Sequence, residues 1–352
     1  MSDRLAAGTL MRRLSLTLMI SAVGGWLMSL LQMPAPWLAG GALAVAIASL
    51  SGVRVVMPNR LRDVTFALTG LSMGASVAKD SLSLMVQWPV TLVALAIELI
   101  LIISLTGLLL KKFFGLDRGT AYLSSFPGHL SFVMSIAAAG VGDSRQIIII
   151  QVIRILMLTI CVPIGALFLP VGHVDGVAAL QAEMPLFQLL AMAVACWCVG
   201  WLFTRLNVPA GYALGAMATS ISAKFLGLFD GALPAWFLIG TFVLVGALIG
   251  SRFAGITRQE FMRAVVGGLA GTALTVAIVT VVAAVAAQFV DMPFGQIWIG
   301  LSPGALEGMG ALGIALGFDT AFIAAHHVSR LLMLTFAIPM VAMLVRKTEP
   351  HP

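Results

Sequence analysis

The chain has 352 residues, of which 60% are hydrophobic and only 10% charged, whereas a soluble domain carries about 25% charged residues. That composition excludes a water-soluble globular fold, because so much apolar surface has no interior to fill. The net charge of +6 does not point to nucleic acid as a partner, since the basic residues lie in short connections rather than along one solvated face; membrane lipid is the expected neighbour.

Apolar runs long enough to cross a bilayer, which takes about 20 residues, follow one another along the chain. The first, 14–33, stands behind Arg12-Arg13 and superficially resembles a signal peptide. It is long for one and its pattern returns in mid-chain, so it reads as a membrane helix. Further runs cover 35–53, 86–110, 146–169, 185–204, 208–226, 264–290 and 320–345, with shorter ones at 64–78 and 234–251. Cys161, Cys196 and Cys198 all fall inside apolar runs without a CxxC pair and read as small packing residues.

An internal duplication organises these runs. Gly25 to Gly40 matches Gly200 to Gly215 at an offset of 175, sharing Gly, Trp, Leu, Leu, Pro, Ala and Gly. At an offset of 176, Gly70 and Gly74 match Gly246 and Gly250, small-xxx-small pairs that let helix backbones approach. Pro127 to Pro163 matches Pro303 to Pro339 with 13 of 37 positions identical. The shared residues there include Pro127-Gly128 with Pro303-Gly304, Asp143 with Asp319 and Arg154 with Arg330. Two repeats are expected, 1–175 and 176–352.

Lys and Arg placement sets the expected topology. With a cytoplasmic N-terminus, five crossings per half and a Pro-Gly segment that dips in and returns, sixteen basic residues face the cytoplasm and only Lys79 and Lys224 face outside. Six crossings per half would move Arg145, Arg205, Arg252, Arg258 and Arg263 outside, against the positive-inside bias. An odd number of crossings inverts the second half relative to the first. The expected fold is therefore all-α and integral to the membrane: two inverted-topology repeats, ten transmembrane helices and two re-entrant Pro-Gly hairpins. Both termini would be cytoplasmic, in a bacterial inner membrane.

The candidate site residues follow from what lipid does not tolerate. Pro127-Gly128 and Pro303-Gly304 break apolar helices, and broken backbone at membrane depth survives only where protein buries it or water reaches it. One reading places both breaks at an internal cavity, with half-helix ends offering partial charges to a solute; the other makes each a tight turn near the interface. Arg154 and Arg330 sit inside apolar helices and need partners. They bind an anionic solute, hold half-helix C-termini, or pair with a carboxylate. Glu307, whose mate in the first half is Ser131, and Glu98, whose mate is Leu274, are carboxylates inside spans and could take up a proton or coordinate a cation. Asp143 and Asp319 stand eleven residues before their arginines and read as helix-end partners. His129 after the first break, and His326-His327, could relay protons. No metal site or cofactor is expected, since no HExxH or third ligand accompanies them.

The duplicated Pro-Gly, Asp and Arg resemble the AbrB-type membrane protein family, some of whose members carry an ammonia monooxygenase label. The first copy in that family typically reads TAxLAxxPGGLSEM. Here Thr120-Ala121-Tyr122-Leu123 and Pro127-Gly128 fit, His129 replaces Gly, and Phe132 stands where Glu is expected; the second copy, PGALEGMG, carries Glu307 one position earlier. The resemblance implies a cell-membrane protein with a role in regulating gene expression and a suspected transport activity. Residue counts argue against the oxygenase label, because copper or iron oxygenases need several convergent His or carboxylate ligands and the chain has five His in all. The first expectation is a secondary transporter of a small polar or anionic solute, not an enzyme. The second is a membrane regulator acting through a partner protein, and the remotest is an oxidoreductase. A homodimer is compatible with such folds, but nothing in the sequence demands it.

Overall fold

A computed structural model describes residues 2–77, 85–128, 130–138, 140–166, 183–229 and 231–346; His129 and Lys79 lie outside them. Among the described residues the protein is helical, and the one non-helical pairing is an isolated bridge between Glu183 and Ala232. Six helical stretches are long and apolar enough to cross a membrane: Gly8–Leu30, Met85–Phe114, Ser144–Gly165, Leu186–Arg205, Arg258–Ala286 and Thr320–Val341.

In chain order the helices are α1 (Ser2–Leu30), α2 (Pro36–Leu50), α3 (Asn59–Ser76), α4 (Trp88–Leu101), α5 (Gly107–Phe114), α6 (Arg118–Ser125), α7 (Leu130–Ala138), α8 (Ser144–Ala166), α9 (Leu186–Arg205), α10 (Gly211–Phe225), α11 (Ala235–Ser251), α12 (Arg258–Ala286), α13 (Phe294–Leu301), α14 (Leu306–Leu316) and α15 (Thr320–Arg346). Spacing between equivalent elements keeps the offsets of the sequence repeat. α2 and α10 begin 175 residues apart, α3 and α11 begin 176 apart, and α6 and α13 begin and end 176 apart. Backbone detail follows too. The non-glycine residues with left-handed backbone are Gln32 (φ 53°), Ala35 (φ 49°), Asn207 (φ 56°) and Ala210 (φ 52°), so one turn bracketing a proline recurs at an offset of 175.

The chain divides into two compact units, each built from segments of both sequence halves. The first comprises Met1–Met85, Thr159–Ala254 and Leu306–Ala324. Within it α2 packs on α1 and α11, and α10 on α3 and α9. α3 is poor in large apolar residues, yet buries Thr65, Thr69 and Ser72. Their hydroxyls donate to carbonyls one turn back, those of Leu61, Thr65 and Leu68, so no polar atom is orphaned by burial. Gly70 of α3 lies directly on the backbone of Ala213 in α10. Lys224, near the end of α10, donates to the carbonyls of Ala75 and Val77 at 2.6 and 2.7 Å, placing a cation on the C-terminus of α3 where the helix dipole favours it.

The second unit comprises Val86–Leu158, Gly255–Ala305 and Ala325–Pro352. Its first long helical stretch is not uniform: Met85–Gln87 is a 3-10 turn and Ile102–Thr106, between α4 and α5, is a π-helical turn. Such turns leave carbonyls short of donors; here the Ser125 hydroxyl reaches the Ile103 carbonyl at 3.2 Å. α6 opens on Asp117, whose carboxylate accepts from the Thr120 N–H at 2.8 Å. Asp117→Ala should lower the melting temperature of purified protein by the equivalent of about 1 kcal/mol, the worth of an N-cap; an unchanged melting curve would mean that the cap is already supplied by water.

Candidate functional site

Two short helices, α6 and α13, each run into a proline and stop. At the first stop the Gly128 N–H bonds back to the Phe126 carbonyl at 3.0 Å, and at the second the Gly304 N–H bonds back to the Ser302 carbonyl at 2.9 Å. Both are i to i+2 turns centred on proline, a geometry that its fixed φ suits. Pro127 and Pro303 are buried. A helix that stops in a buried place leaves carbonyls without intrahelical donors, and the arginines supply them.

Arg154 of α8 donates to the carbonyls of Ser124 (3.3 Å) and Phe126 (2.8 Å). Gln151, one turn earlier, donates to the Leu123 carbonyl at 3.2 Å. In α15, Arg330 donates to the carbonyls of Gly300 (3.1 Å), Leu301 (2.5 Å) and Ser302 (2.9 Å), and also to His327 Nδ1 at 3.2 Å. His327 stands where Gln151 stands in the first copy, 176 residues on, but its Nδ1 faces Arg330 and its Nε2 makes no hydrogen bond among the described residues, whereas Gln151 bonds the Leu123 carbonyl. Each half-helix C-terminus is thus held by an Arg, joined at the first by Gln151, while His327 bonds the second arginine itself. Of the partners expected for the arginines, half-helix C-termini are the ones observed. Both guanidinium groups are buried, and each leaves its Nε–H without a hydrogen bond among the described residues.

Glu98 belongs to the same unit. It lies on the buried face of α4 with Thr91 and Leu95, it is 0% exposed, and neither carboxylate oxygen makes a hydrogen bond among the described residues. Arg330 is the charge that acts on it. Two turns earlier on the same face, Thr91 Oγ1 is 2.8 Å from His326 Nε2, and Trp88 meets the His326 ring edge-on.

The remaining candidates fall elsewhere. Glu307 and Asp319 belong to the first unit. Glu307 is buried and pairs with Arg252 at 2.5 Å, so its observed partner is an arginine of α11's C-terminal end. Asp319 accepts from the Ala321 N–H at 2.9 Å, and Asp143 accepts from the N–H groups of Arg145 (2.8 Å) and Gln146 (3.3 Å). Both sit at helix N-termini. The sequence reading missed Gln151, which donates to the same broken helix end as Arg154, although its alignment with His327, one polar residue one turn before each buried Arg, was a usable signal. It also missed Arg252, which carries no such mark.

Several helices long and apolar enough to cross a membrane define a multi-pass membrane class of protein. A family model described as "Transition state regulatory protein AbrB" matches residues 37–346; the chain belongs to the AbrB family. It is similar to "Uncharacterized protein YhjN" of Bacillus subtilis (strain 168), 22% identical with 91% of this chain and 90% of that protein covered. It is also similar to "Putative regulator AbrB" of Escherichia coli (strain K12), 24% identical with 91% and 92% covered.

Proposed function

We propose that the protein is a secondary transporter of a small polar or anionic solute, working by alternating access between two repeats of opposite orientation in a bacterial inner membrane, with both termini cytoplasmic. The observation that carries this reading is the repeated pair of interrupted helices, each ended by Pro-Gly and held by a buried arginine. Broken helices at the midplane are how transporter folds present backbone charge to a solute, and an arginine at that depth is retained where it serves a polar pathway. Pro127, Gly128, Arg154, Pro303, Gly304 and Arg330 are the residues we place at the site, with His129 beside the first break. We take the protein not to be an enzyme.

A regulatory reading draws support from the names of the family and of the Escherichia coli relative: a membrane protein that alters gene expression through a partner protein. The two separate in the test. Purified protein is screened by thermal shift against small organic anions and amines, since a ligand of the folded state raises its melting point, and the stabilising compound is then followed by counterflow in proteoliposomes. Arg154→Lys is expected to abolish that counterflow while costing less stability than Arg154→Met, because an ammonium still donates to one carbonyl of the broken helix end. Wild-type proteoliposomes that exchange none of these solutes, together with loss of a partner when the cytoplasmic loops are altered, would favour the regulator.

A further inference from the structure

Of the two carboxylates buried in apolar helices among the described residues, one is already spoken for. Glu307 is held by Arg252. Glu98 is the other, and its environment is unusual: complete burial, no hydrogen bond to either oxygen among the described residues, and one guanidinium, that of Arg330, acting on it. A carboxylate that an apolar helix merely tolerated would be expected to hold a donor permanently. One that must alternate between two charge states does better without a fixed partner, because either state then remains accessible.

We propose that Glu98 is the proton-carrying residue of the transporter, so that solute movement is coupled to protons; this rests on the transport reading above. The chemistry favours a proton over a metal cation. Hard cations are held by about six oxygen ligands, whereas a proton needs only the carboxylate, which becomes a neutral carboxylic acid on taking it from one aqueous phase and a carboxylate again on giving it to the other. The surrounding charges are few. α13 carries none; α12 carries Arg258, Glu260 and Arg263, all in its first two turns; α15 contributes His326, His327 and Arg330, and α8 contributes Arg154. Thr91, two turns nearer the start of α4 on the same face, is hydrogen-bonded to His326 of α15 at 2.8 Å.

The consequence is mechanical. Arg330 is hydrogen-bonded to the carbonyls that end α13 and, without a hydrogen bond to Glu98, lies within electrostatic reach of it. While Glu98 is ionised it draws on the same guanidinium that holds the second Pro-Gly break. Once Glu98 is neutral that attraction is gone, while the hydrogen bonds of Arg330 to the carbonyls and to His327 remain. Protonation at α4 therefore changes the force on the break at α13, a two-state element of the kind that coupling requires.

The test needs no knowledge of the solute. Cys161, Cys196 and Cys198 are replaced by Ser, and Ser124→Cys, buried at the end of α6, is made the reporter in phosphatidylethanolamine–phosphatidylglycerol vesicles. Its labelling by a membrane-impermeant maleimide, corrected with a free thiol for the reagent's own pH dependence, is followed from each face at acid and alkaline pH. The expected result is a shift in the ratio of labelling from the two faces of about fivefold or more, abolished by Glu98→Gln and kept by Glu98→Asp, with melting curves confirming that both variants fold. A Glu98→Gln protein that responds to pH as wild type does would overturn the proposal, as would labelling from both faces with no pH response in the wild type, and in those cases alternating access still stands. Labelling from neither face at any pH would remove the transport reading and this proposal together.

Discussion

Arg330→Met is expected to destabilise the folded protein by about 3–5 kcal/mol, the cost of removing one partner from a buried charged network. Two terms oppose each other. Removing the guanidinium relieves its desolvation penalty, several kcal/mol for a fully buried ion, which is why exchanging a buried charge for a hydrophobe is sometimes harmless. Against this, three carbonyls, those of Gly300, Leu301 and Ser302, lose their donor at once, at about 1–3 kcal/mol each. Glu98 also loses the one charge acting on it. The acceptors left behind decide the sign. Arg154→Met, which strands only the carbonyls of Ser124 and Phe126, should cost less. Arg330→Lys should recover only part of the loss, since a single ammonium lacks the planar fork that reaches several acceptors. Thermal or denaturant unfolding of purified protein in detergent checks the order Arg330→Met, Arg154→Met, Arg330→Lys, from most to least damaging. A wild-type melting temperature for Arg330→Met would show that the carbonyls find water instead.

Gly70→Val is the second substitution with a large expected effect, and it acts through packing alone. A side-chain carbon added at Gly70 would sit on the carbonyl of Ala213, where the two helix backbones come into contact. Backbone cannot swing aside as a flexible side chain does, so α3 and α10 must separate. Overpacking costs about 1–3 kcal/mol when side chains yield, and here the lost contact extends along the pair. The Ser220 hydroxyl bond to the Leu71 carbonyl (3.0 Å) and both Lys224 bonds lie on the same interface. Folded yield after detergent extraction should fall several-fold, as expected when stability drops by about 1–2 kcal/mol or more. Gly240→Ala is the matched control. It lies in α11 with open space around it, and alanine there should be neutral or slightly stabilising. Equal loss in both variants would mean that helix propensity, not the close crossing, sets the outcome.

Much of this was legible in the residues. A run of apolar residues in a low-dielectric solvent has one way to satisfy its backbone, the helix, so apolar length alone placed most elements. The stretch 86–110 reads as one span, yet it contains 3-10 and π turns, because the bond from Ser125 that accommodates the π turn comes from another helix. The duplication was legible as well, and helix starts and turn conformations keep its offsets.

Partner choice was not. Arg154 and Arg330 announce by their type and depth that they need acceptors, and three kinds were open. Their acceptors turn out to be carbonyls 28 to 30 residues back, because α6 and α13 stop beside them. Glu307 pairs with Arg252, 55 residues away, and Glu98 stands without a hydrogen bond among the described residues, although both read identically as carboxylates in apolar runs. Composition and periodicity report which groups must be satisfied, since solvation acts on each residue separately. Which group satisfies which depends on the helices that tertiary packing sets side by side, and that information resides in no single segment of the chain.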